Sequence, residues 1–241
     1  METLANDLAY RPEGTGSLTL DQMTEAHNYN RWLFERVSSA VGDRVMEIGS
    51  GTGTMTRFLL DRELVLGLEV VPDYVEELRE QFREHPNVRI EGVDITSTDY
   101  DFAALRLDSA VSFNVFEHIP DDVAAMRQVY HALCPGGRLG LLVPAHRALY
   151  GPLDELIGHQ RRYGKRELSE KLRSVGFHVD SVAYSNPVGA LGWLVNVKLL
   201  RQPQLKAVRA YDRLVPVMAE AERLVRPPFG LSVVAIAHKP A

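Results

Sequence analysis

The most restrictive feature of this chain is the stretch VMEIGSGTG at residues 45–53. An apolar run ends there in three glycines at alternate positions, and residues 54–60 read as the start of a helix. This pattern predicts a strand, a tight turn and a helix N-terminus, where glycines let the backbone approach a ligand because no Cβ intervenes. Glu47 lies two residues before the first glycine, where a carboxylate would not help to bind a phosphate. It favours a ligand that carries a cationic amino group.

The composition indicates one globular domain. The 241 residues are 45% hydrophobic and 24% charged, which is an ordinary balance. A net charge of −5 argues against a nucleic-acid partner. No run reaches the roughly 18 apolar residues of a membrane span, so no integral membrane segment is expected. A single cysteine and the absence of an export-signal pattern predict a cytoplasmic protein, and no Cys/His cluster has metal-ligand spacing, so no metal is expected.

Strand and helix patterns alternate between residues 44 and 143. Predicted strands cover 44–48, 64–69, 87–93, 108–114 and 138–143, and predicted helices cover 54–62, 72–84 and 120–133. A helix at 20–41 comes first, and a helix at 165–176, a sixth strand at 177–184, a helical region at 186–229 and a last strand at 231–238 follow. This order predicts a parallel sheet with helices on both faces, and a last strand placed to return antiparallel to the sixth.

Polar side chains stand at the ends of four predicted strands. Ligands of open α/β sheets bind beyond the carboxyl ends of the strands, where the strand order switches. Glu69 ends the second strand, twenty residues after Gly49, where an acid can accept hydrogen bonds from two ribose hydroxyls. Asp94 ends the third strand, where it can accept from an exocyclic amine such as that of adenine, and Asn114 ends the fourth.

With these positions the chain resembles the class I S-adenosylmethionine-dependent methyltransferases, in their small-molecule type 11/12 group. Similar motifs occur at 47–53, at Glu69 and Asp94, and at 112–119, 133–137 and 159–163. The resemblance implies an α/β fold, a three-layer sandwich with a seven-stranded, mostly parallel sheet, an antiparallel last strand and a helical insertion before it. Residues 1–241 would form one methyltransferase domain, with an N-terminal helical cap (1–41), a cofactor-binding core (42–185), the insertion (186–229) and the last strand (230–241).

The resemblance also implies S-adenosylmethionine as cofactor and S-adenosylhomocysteine as product. Glu47 would face the amino group of the methionine moiety through water or the turn backbone, Glu69 would hold the ribose, and Asp94 with Ile95 would frame the adenine. Tyr29 would either close over the methionine end or pack against Trp32. The full set of expected cofactor-binding residues is Tyr29, Glu47, Gly49, Ser50, Gly51, Gly53, Glu69, Val70, Asp94, Ile95, Asn114 and Val115.

The methyl acceptor is less constrained. A hydroxyl acceptor is favoured, on a sugar, lipid-linked or secondary-metabolite compound, and it would need a general base within about 3 Å. The expected catalytic residues are His159 and His118, with His146, Glu117 and Tyr163 as further candidates for the base. The expected acceptor-binding residues are His118, His146, Tyr150, His159, Arg162 and Tyr163. The loop that carries most of them predicts either a pocket for an anionic or polyhydroxylated compound, or a solvated loop whose arginines pair with Asp154 and Glu155.

Two other functions remain as alternatives. An NAD(P)-dependent oxidoreductase of Rossmann type would place its third glycine one residue later, where this chain has Thr54. A non-catalytic nucleoside-binding module would have no need to combine Glu47, Glu69 and Asp94. The insertion at 186–229 could cover the sheet, close over the acceptor, form a homodimer or contact a lipid-linked acceptor.

Overall fold

The computed structural model describes residues 24–97, 101–195 and 208–241. The predicted loose N-terminal segment (1–17), the beginning of the predicted helix 20–41 and the middle of the predicted insertion lie outside the described residues.

Seven strands form one sheet in the order β3-β2-β1-β4-β5-β7-β6. The strands are β1 (Arg44–Ile48), β2 (Leu64–Glu69), β3 (Val88–Gly92), β4 (Leu107–Phe113), β5 (Leu133–Pro144), β6 (His178–Ser185) and β7 (Ser232–His238). Strands β1 to β5 pair in parallel, whereas β7 lies antiparallel between β5 and β6. The predicted seven-stranded, mostly parallel sheet with an antiparallel last strand is therefore confirmed.

Helices cover both faces of this sheet. Those within the described residues are α1 (His27–Val37), α2 (Pro72–Gln81), α3 (Asp122–Ala132), α4 (Pro152–Leu156), α5 (Lys165–Ser174), α6 (Pro187–Trp193) and α7 (Val208–Leu224). Alternate residues of β1 belong to different cores: Met46 packs with the α3 and α5 side, and Val45 packs with α1. Glu47 therefore points to the α1 face, beneath the glycine turn.

Most predicted boundaries move by a few residues, and two larger differences concern the helix after the glycine turn and the start of β5. The predicted helix at 54–62 is only a 3-10 turn, Thr56–Phe58. Threonines weaken this helix, because their branched side chains lose rotamer freedom and their hydroxyls bond locally; Thr52 and Thr54 lie 3.0 Å apart, oxygen to oxygen. Strand β5 begins at Leu133, five residues before the predicted start, because Leu133 already pairs with Leu107 across a register shift.

Helix α7, from the insertion, packs against α1. Asp212 accepts a hydrogen bond of 2.8 Å from the Tyr29 backbone N–H, and Arg36 forms an ion pair of 2.7 Å with Glu222. Val215 is fully buried in the core beneath α1. This part of the insertion covers the sheet, which is one of the four alternatives that the sequence left open. Within the described part of the chain, the structure holds no helix of the length and hydropathy that would span a membrane.

Candidate functional site

The glycine turn between β1 and the Thr56–Phe58 turn has the backbone conformation that glycine favours. Gly49, Gly51 and Gly53 have φ values of +76°, +52° and +75°. A Cβ at Gly49 would lie 2.3 Å from a methyl carbon of Val115, so the turn is packed against the segment after β4. At Gly51 a Cβ would meet no atom within 4 Å. At Gly53 a Cβ would lie 2.8 Å from atoms of both Gln81 and Phe82. The turn is thus packed at both ends and presents open backbone at its middle.

Glu47 lies beneath this turn and is 1% exposed. One carboxylate oxygen accepts hydrogen bonds from the Thr56 hydroxyl at 2.6 Å and the Ser50 hydroxyl at 3.3 Å. Burial raises the pKa of Glu47 to about 7, against the two hydroxyl bonds that lower it, and the charge of Glu69 raises it further. A carboxyl held in this state gains much from a cation that approaches it.

Glu69, at the end of β2, faces the same turn. Its two oxygens accept hydrogen bonds from the backbone N–H of Gly51 at 2.8 Å, Val70 at 2.8 Å and Val71 at 3.0 Å. The side chain is 7% exposed. Glu69 therefore fixes the middle of the glycine turn as well as the start of α2.

The remaining predicted cofactor residues surround the same edge of the sheet. Asp94 is exposed, and one of its oxygens accepts from the backbone and the hydroxyl of Thr96, both at 2.8 Å. Ile95 is buried and Val70 is exposed. Asn114 is exposed with a left-handed φ of +54°. Glu47, Glu69 and Asp94, together with the exposed side chain of Val70, thus lie at the edge of the sheet formed by the carboxyl ends of its parallel strands. The sequence predicts this placement.

Tyr29 is buried between helices. Its ring makes edge contacts with Trp32 and Tyr211, with centroids 6.0 and 5.9 Å away. Burial raises the pKa of its hydroxyl to about 12, although a hydrogen bond with Asn186 opposes the shift. Both Trp32 and Tyr211 are packing partners. The ring contacts match the packing alternative for this residue, whose cofactor role stays a prediction.

Two histidines and a glutamate meet beyond β4. Glu117, His118 and His159 each offer one atom, and these atoms lie within 4.8 Å of one another. The two imidazole rings are nearly perpendicular, with centroids 4.7 Å apart. Glu117 is fully buried, which raises the pKa of its carboxyl to about 8, while burial and the neighbouring His159 lower the pKa of His118 to about 4. The two predicted catalytic histidines are thus brought together, and the Glu117 carboxyl lies within 4.8 Å of both.

Asp154 holds His159 in place. Its Oδ1 lies 2.7 Å from Nδ1 of His159 and 2.8 Å from Nε of Arg162. Burial acts to raise the pKa of Asp154, but these bonds and the charge of Arg162 outweigh it, so the pKa lies below its ordinary value. Arg162 is 2% exposed, and its guanidinium stacks 4.3 Å from the Trp193 ring centre. An arginine of the loop does pair with Asp154, as one sequence-based alternative stated.

The other predicted acceptor residues divide between core and surface. Tyr163 is fully buried, and its hydroxyl donates to Asp122 at 2.7 Å. The hydroxyl of Tyr150 donates to the His159 carbonyl at 2.8 Å. His146, which follows β5, has a left-handed φ of +61° and stacks on Tyr184 with ring centroids 4.5 Å apart. A surface cleft near these residues is lined by Arg147, Tyr150, Gln160, Arg161, Arg162, Glu167 and Lys171.

Sequence reasoning missed three supporting groups. Thr56 and Ser50 hold the Glu47 carboxylate, and Asp154 orients His159. Ser50 was expected to touch the cofactor but not to bond Glu47. Hydroxyls and acids in loops are too common to single out by type. Only the fold shows which of them face a buried partner.

Comparison with known proteins points to one family. Residues 46–139 match the profile of the family described as "Methyltransferase domain". An O-methyltransferase from Aspergillus sclerotiorum is 25% identical over 182 residues, which cover 71% of this chain and 68% of that protein. An uncharacterized protein from transposon TN4556 of Streptomyces fradiae is 25% identical over 127 residues, and the chain spans only 36% of its length.

Solved structures share the fold. A chain of the complex between the Trm112 methyltransferase activator of Haloferax volcanii and its methyltransferase superposes with a TM-score of 0.66 at 19% identity. The alignment covers 97% of both chains.

Proposed function

Because the chain belongs to the class I S-adenosylmethionine-dependent methyltransferase family, we propose that it binds S-adenosylmethionine across the glycine turn and transfers the methyl group to a small-molecule hydroxyl. The observation that carries the proposal is the open backbone at Gly51 between two buried carboxylates, Glu47 and Glu69. One carboxylate suits the cationic amino group of the cofactor, and the other suits its ribose.

The Glu69 carboxylate can accept only a limited number of hydrogen bonds from the ribose. A carboxylate offers about four lone-pair sites. Backbone N–H groups of Gly51, Val70 and Val71 already use three sites of Glu69. One ribose hydroxyl can therefore bind without disturbing the turn, and a second would compete with a backbone N–H. Glu69 in this proposal both shapes the turn and recognises the sugar.

The acceptor would lie beyond β4 and β5. His118 follows β4 and His146 follows β5. His159 meets His118 because the Gln160 N–H next to it donates to the Glu117 carbonyl. Methyl transfer needs the acceptor oxygen, the methyl carbon and the sulfur nearly in line, so catalysis depends mainly on positioning. The name of one relative, an O-methyltransferase, supports an oxygen acceptor.

The cleft beside this region supports a proposal for the chemical class of the acceptor. Arg147, Arg161 and Lys171 border it, which favours an anionic, glycan or lipid-linked compound. Their charges are partly neutralised, since Arg147 pairs with Glu167, and Arg161 pairs with Asp122. A polyhydroxylated acceptor that exchanges hydrogen bonds with these ion pairs fits the cleft better than a highly charged one.

Calorimetry tests the cofactor assignment. S-adenosylmethionine and S-adenosylhomocysteine should bind to the purified protein, and NAD should not. Failure of both adenosyl ligands to bind at about 1 mM would refute the proposal, and binding of NAD alone would support the oxidoreductase alternative. Binding without transfer to any sugar, phenol or lipid-linked glycan in a broad acceptor panel, followed by mass spectrometry, would support the non-catalytic alternative.

A pair of variants tests the ribose contact. Glu69→Gln loses the charge and keeps a carbonyl oxygen for Val70 and Val71 but not for Gly51, whereas Glu69→Ala removes every acceptor. Loss of charged hydrogen bonds weakens affinity by about 1–3 kcal/mol, so we expect Glu69→Gln to raise the Kd for S-adenosylmethionine about 5- to 150-fold. Glu76→Gln, an exposed acid on α2, is the matched control. An unchanged Kd in Glu69→Gln would contradict the ribose assignment.

A further inference from the structure

We propose that Glu117, His118 and His159 form a binding site for a divalent transition-metal ion. The site is defined by the side chains of these three residues alone, so it can be tested without any methyl-transfer reaction. Its role, to hold and activate the acceptor oxygen, rests on the proposed function. It replaces the expectation of no metal, which considered only the spacing of residues along the sequence.

The geometry brings three ligand atoms close to the positions that an ion needs. They lie within 4.8 Å of one another, and His159 Nε2 is 3.7 Å from Glu117 Oε1. Ligands about 2.1 Å from a tetrahedral ion lie roughly 3.4 Å apart. The observed His159–Glu117 separation is thus close to that value, and small rotations of the side chains would complete the site.

Glu117 supplies the strongest independent indication. It is 0% exposed, and neither of its carboxylate oxygens has a hydrogen-bond donor among the described residues. Burying a carboxyl group without a partner costs several kcal/mol in an apolar environment. Both orphaned oxygens belong to the group that faces two imidazoles. A metal ion would supply the missing partner.

The residues around His159 orient its ring as in known metal sites. Metal-bound histidines usually donate their second ring N–H to a carboxylate, which sets the tautomer and the ring orientation. Here Asp154 Oδ1 is 2.7 Å from Nδ1 of His159, which leaves Nε2 directed towards Glu117. A backbone bond of 2.7 Å from Gln160 N–H to the Glu117 carbonyl ties the two chain segments together. Asp154 is a positioning residue, and the cluster is built before any ion arrives.

The ligand set points to the kind of ion. Two imidazoles and one carboxylate suit Zn²⁺, Fe²⁺ or a similar first-row ion better than Mg²⁺ or Ca²⁺, which prefer oxygen ligands. Three protein ligands leave a position for water or substrate, as in catalytic zinc sites. An ion there would lower the pKa of an acceptor hydroxyl bound to it, so that the hydroxyl could release its proton to solvent water before its oxygen attacks the methyl carbon. His159 would then serve as a ligand and not as the general base.

Metal binding can be measured directly on the full-length protein after treatment with a chelator. We expect Zn²⁺ to bind with one ion per chain in calorimetry, and Co²⁺ to give the visible absorption of a low-symmetry site. Glu117→Gln and His159→Asn should each weaken Zn²⁺ binding about tenfold or more, and Asp154→Asn should weaken it about 10- to 100-fold. If Glu117→Gln does not fold, His118→Asn, at a half-buried position, gives the same test.

A second histidine pair provides the matched control. The rings of His178 and His238 lie 4.8 Å apart near the surface, and His238 also contacts Asp180. His178→Asn and His238→Asn should leave the Zn²⁺ affinity unchanged. Loss of binding in these variants, or full binding in Glu117→Gln and His159→Asn, would overturn the proposal.

The metal proposal and the cofactor proposal can fail separately. The chelator-treated protein is titrated with S-adenosylhomocysteine in parallel, a measurement that does not involve the acceptor side. Binding of S-adenosylhomocysteine without binding of Zn²⁺ refutes the metal site alone. Binding of Zn²⁺ without the nucleoside refutes the cofactor assignment alone.

Discussion

Replacing Glu47 by Gln should make the ligand-free protein more stable at neutral and basic pH. Burial raises the pKa of this carboxyl to about 7, whereas an exposed glutamate in the unfolded chain titrates near 4.5. Between these two values the unfolded chain has lost the proton and the folded protein has kept it. Below pH 4.5, the pKa of Glu47 in the unfolded chain, the folded protein has its full stability with respect to this carboxyl. As the pH rises from there towards 7, the free energy of unfolding falls. Gln cannot ionise and avoids this loss.

The magnitude follows from the pKa difference. A shift from 4.5 to about 7 spans about 2.5 units. At about 1.36 kcal/mol per unit, this amounts to about 3 kcal/mol. The side chain is only 1% exposed, so solvent screening reduces this figure little. Gln can also keep the acceptor oxygen that Thr56 and Ser50 need, since the amide can turn its carbonyl towards them.

Urea unfolding of both proteins over a range from about pH 4.5 to about pH 8 measures the effect. The free energy of unfolding of Glu47→Gln minus that of the wild type should rise by about 3 kcal/mol across this range. Other titrating groups are common to both proteins and cancel in the difference. Glu76→Gln, an exposed acid, should give a nearly constant difference. A constant difference for Glu47→Gln as well would refute the reasoning about burial.

The cofactor adds a second pH effect of opposite sign. A cationic amino group beside Glu47 stabilises the ionised carboxylate, so binding lowers its pKa. S-adenosylmethionine should consequently bind more tightly as the pH rises through about 7 in the wild type. In Glu47→Gln the affinity should be weaker and should lack this rise with pH. A wild-type affinity without pH dependence would argue that the amino group lies elsewhere.

Two further predictions concern stability and can be checked by urea unfolding. Gly49→Ala should lower the free energy of unfolding more than Gly51→Ala. Both positions impose a left-handed backbone, and this strain alone costs about 1–2 kcal/mol. Only the Cβ at Gly49 would also collide with Val115, 2.3 Å away. Equal losses would show that the turn relaxes around the added carbon. Arg162→Met should destabilise the protein by about 3–5 kcal/mol, because it leaves the buried carboxylate of Asp154 without its cationic partner. Combining it with Asp154→Asn should restore part of the loss, and a strictly additive double variant would contradict a direct coupling.

The sheet and the edge that carries the proposed cofactor residues could be predicted because local patterns determine them. Buried parallel strands read as short apolar runs, and the carboxyl ends of such strands meet at one edge. Glu47 and Glu69 were therefore placed correctly from their positions in those runs. The helix predicted after the glycine turn was wrong, because the hydroxyls of Thr52 and Thr54 bond to each other and the Thr56 hydroxyl bonds to Glu47.

The acceptor side could not be read in the same way. His118 and His159 are 41 positions apart, and neither lies in a periodic element that would show which way it faces. They meet because the chain after α4 runs back alongside the segment after β4, where Gln160 bonds Glu117 through the backbone. Contacts of this kind depend on the course of a loop. A pattern of residue types along the chain does not contain that information.

The position of β7 determines when the sheet can be completed. β6 lies at the edge of the sheet, and among the described residues its sole neighbour in the sheet is β7. A ribosome releases β6 about 50 residues before the strand that joins it to β5, so during synthesis β6 has no partner across the sheet. A chain truncated after residue 230 should retain β1 to β5 in order but lose the protection of residues 178–185 from hydrogen exchange. Strand β7, near the end of the chain, thus attaches the edge strand β6 to the rest of the sheet.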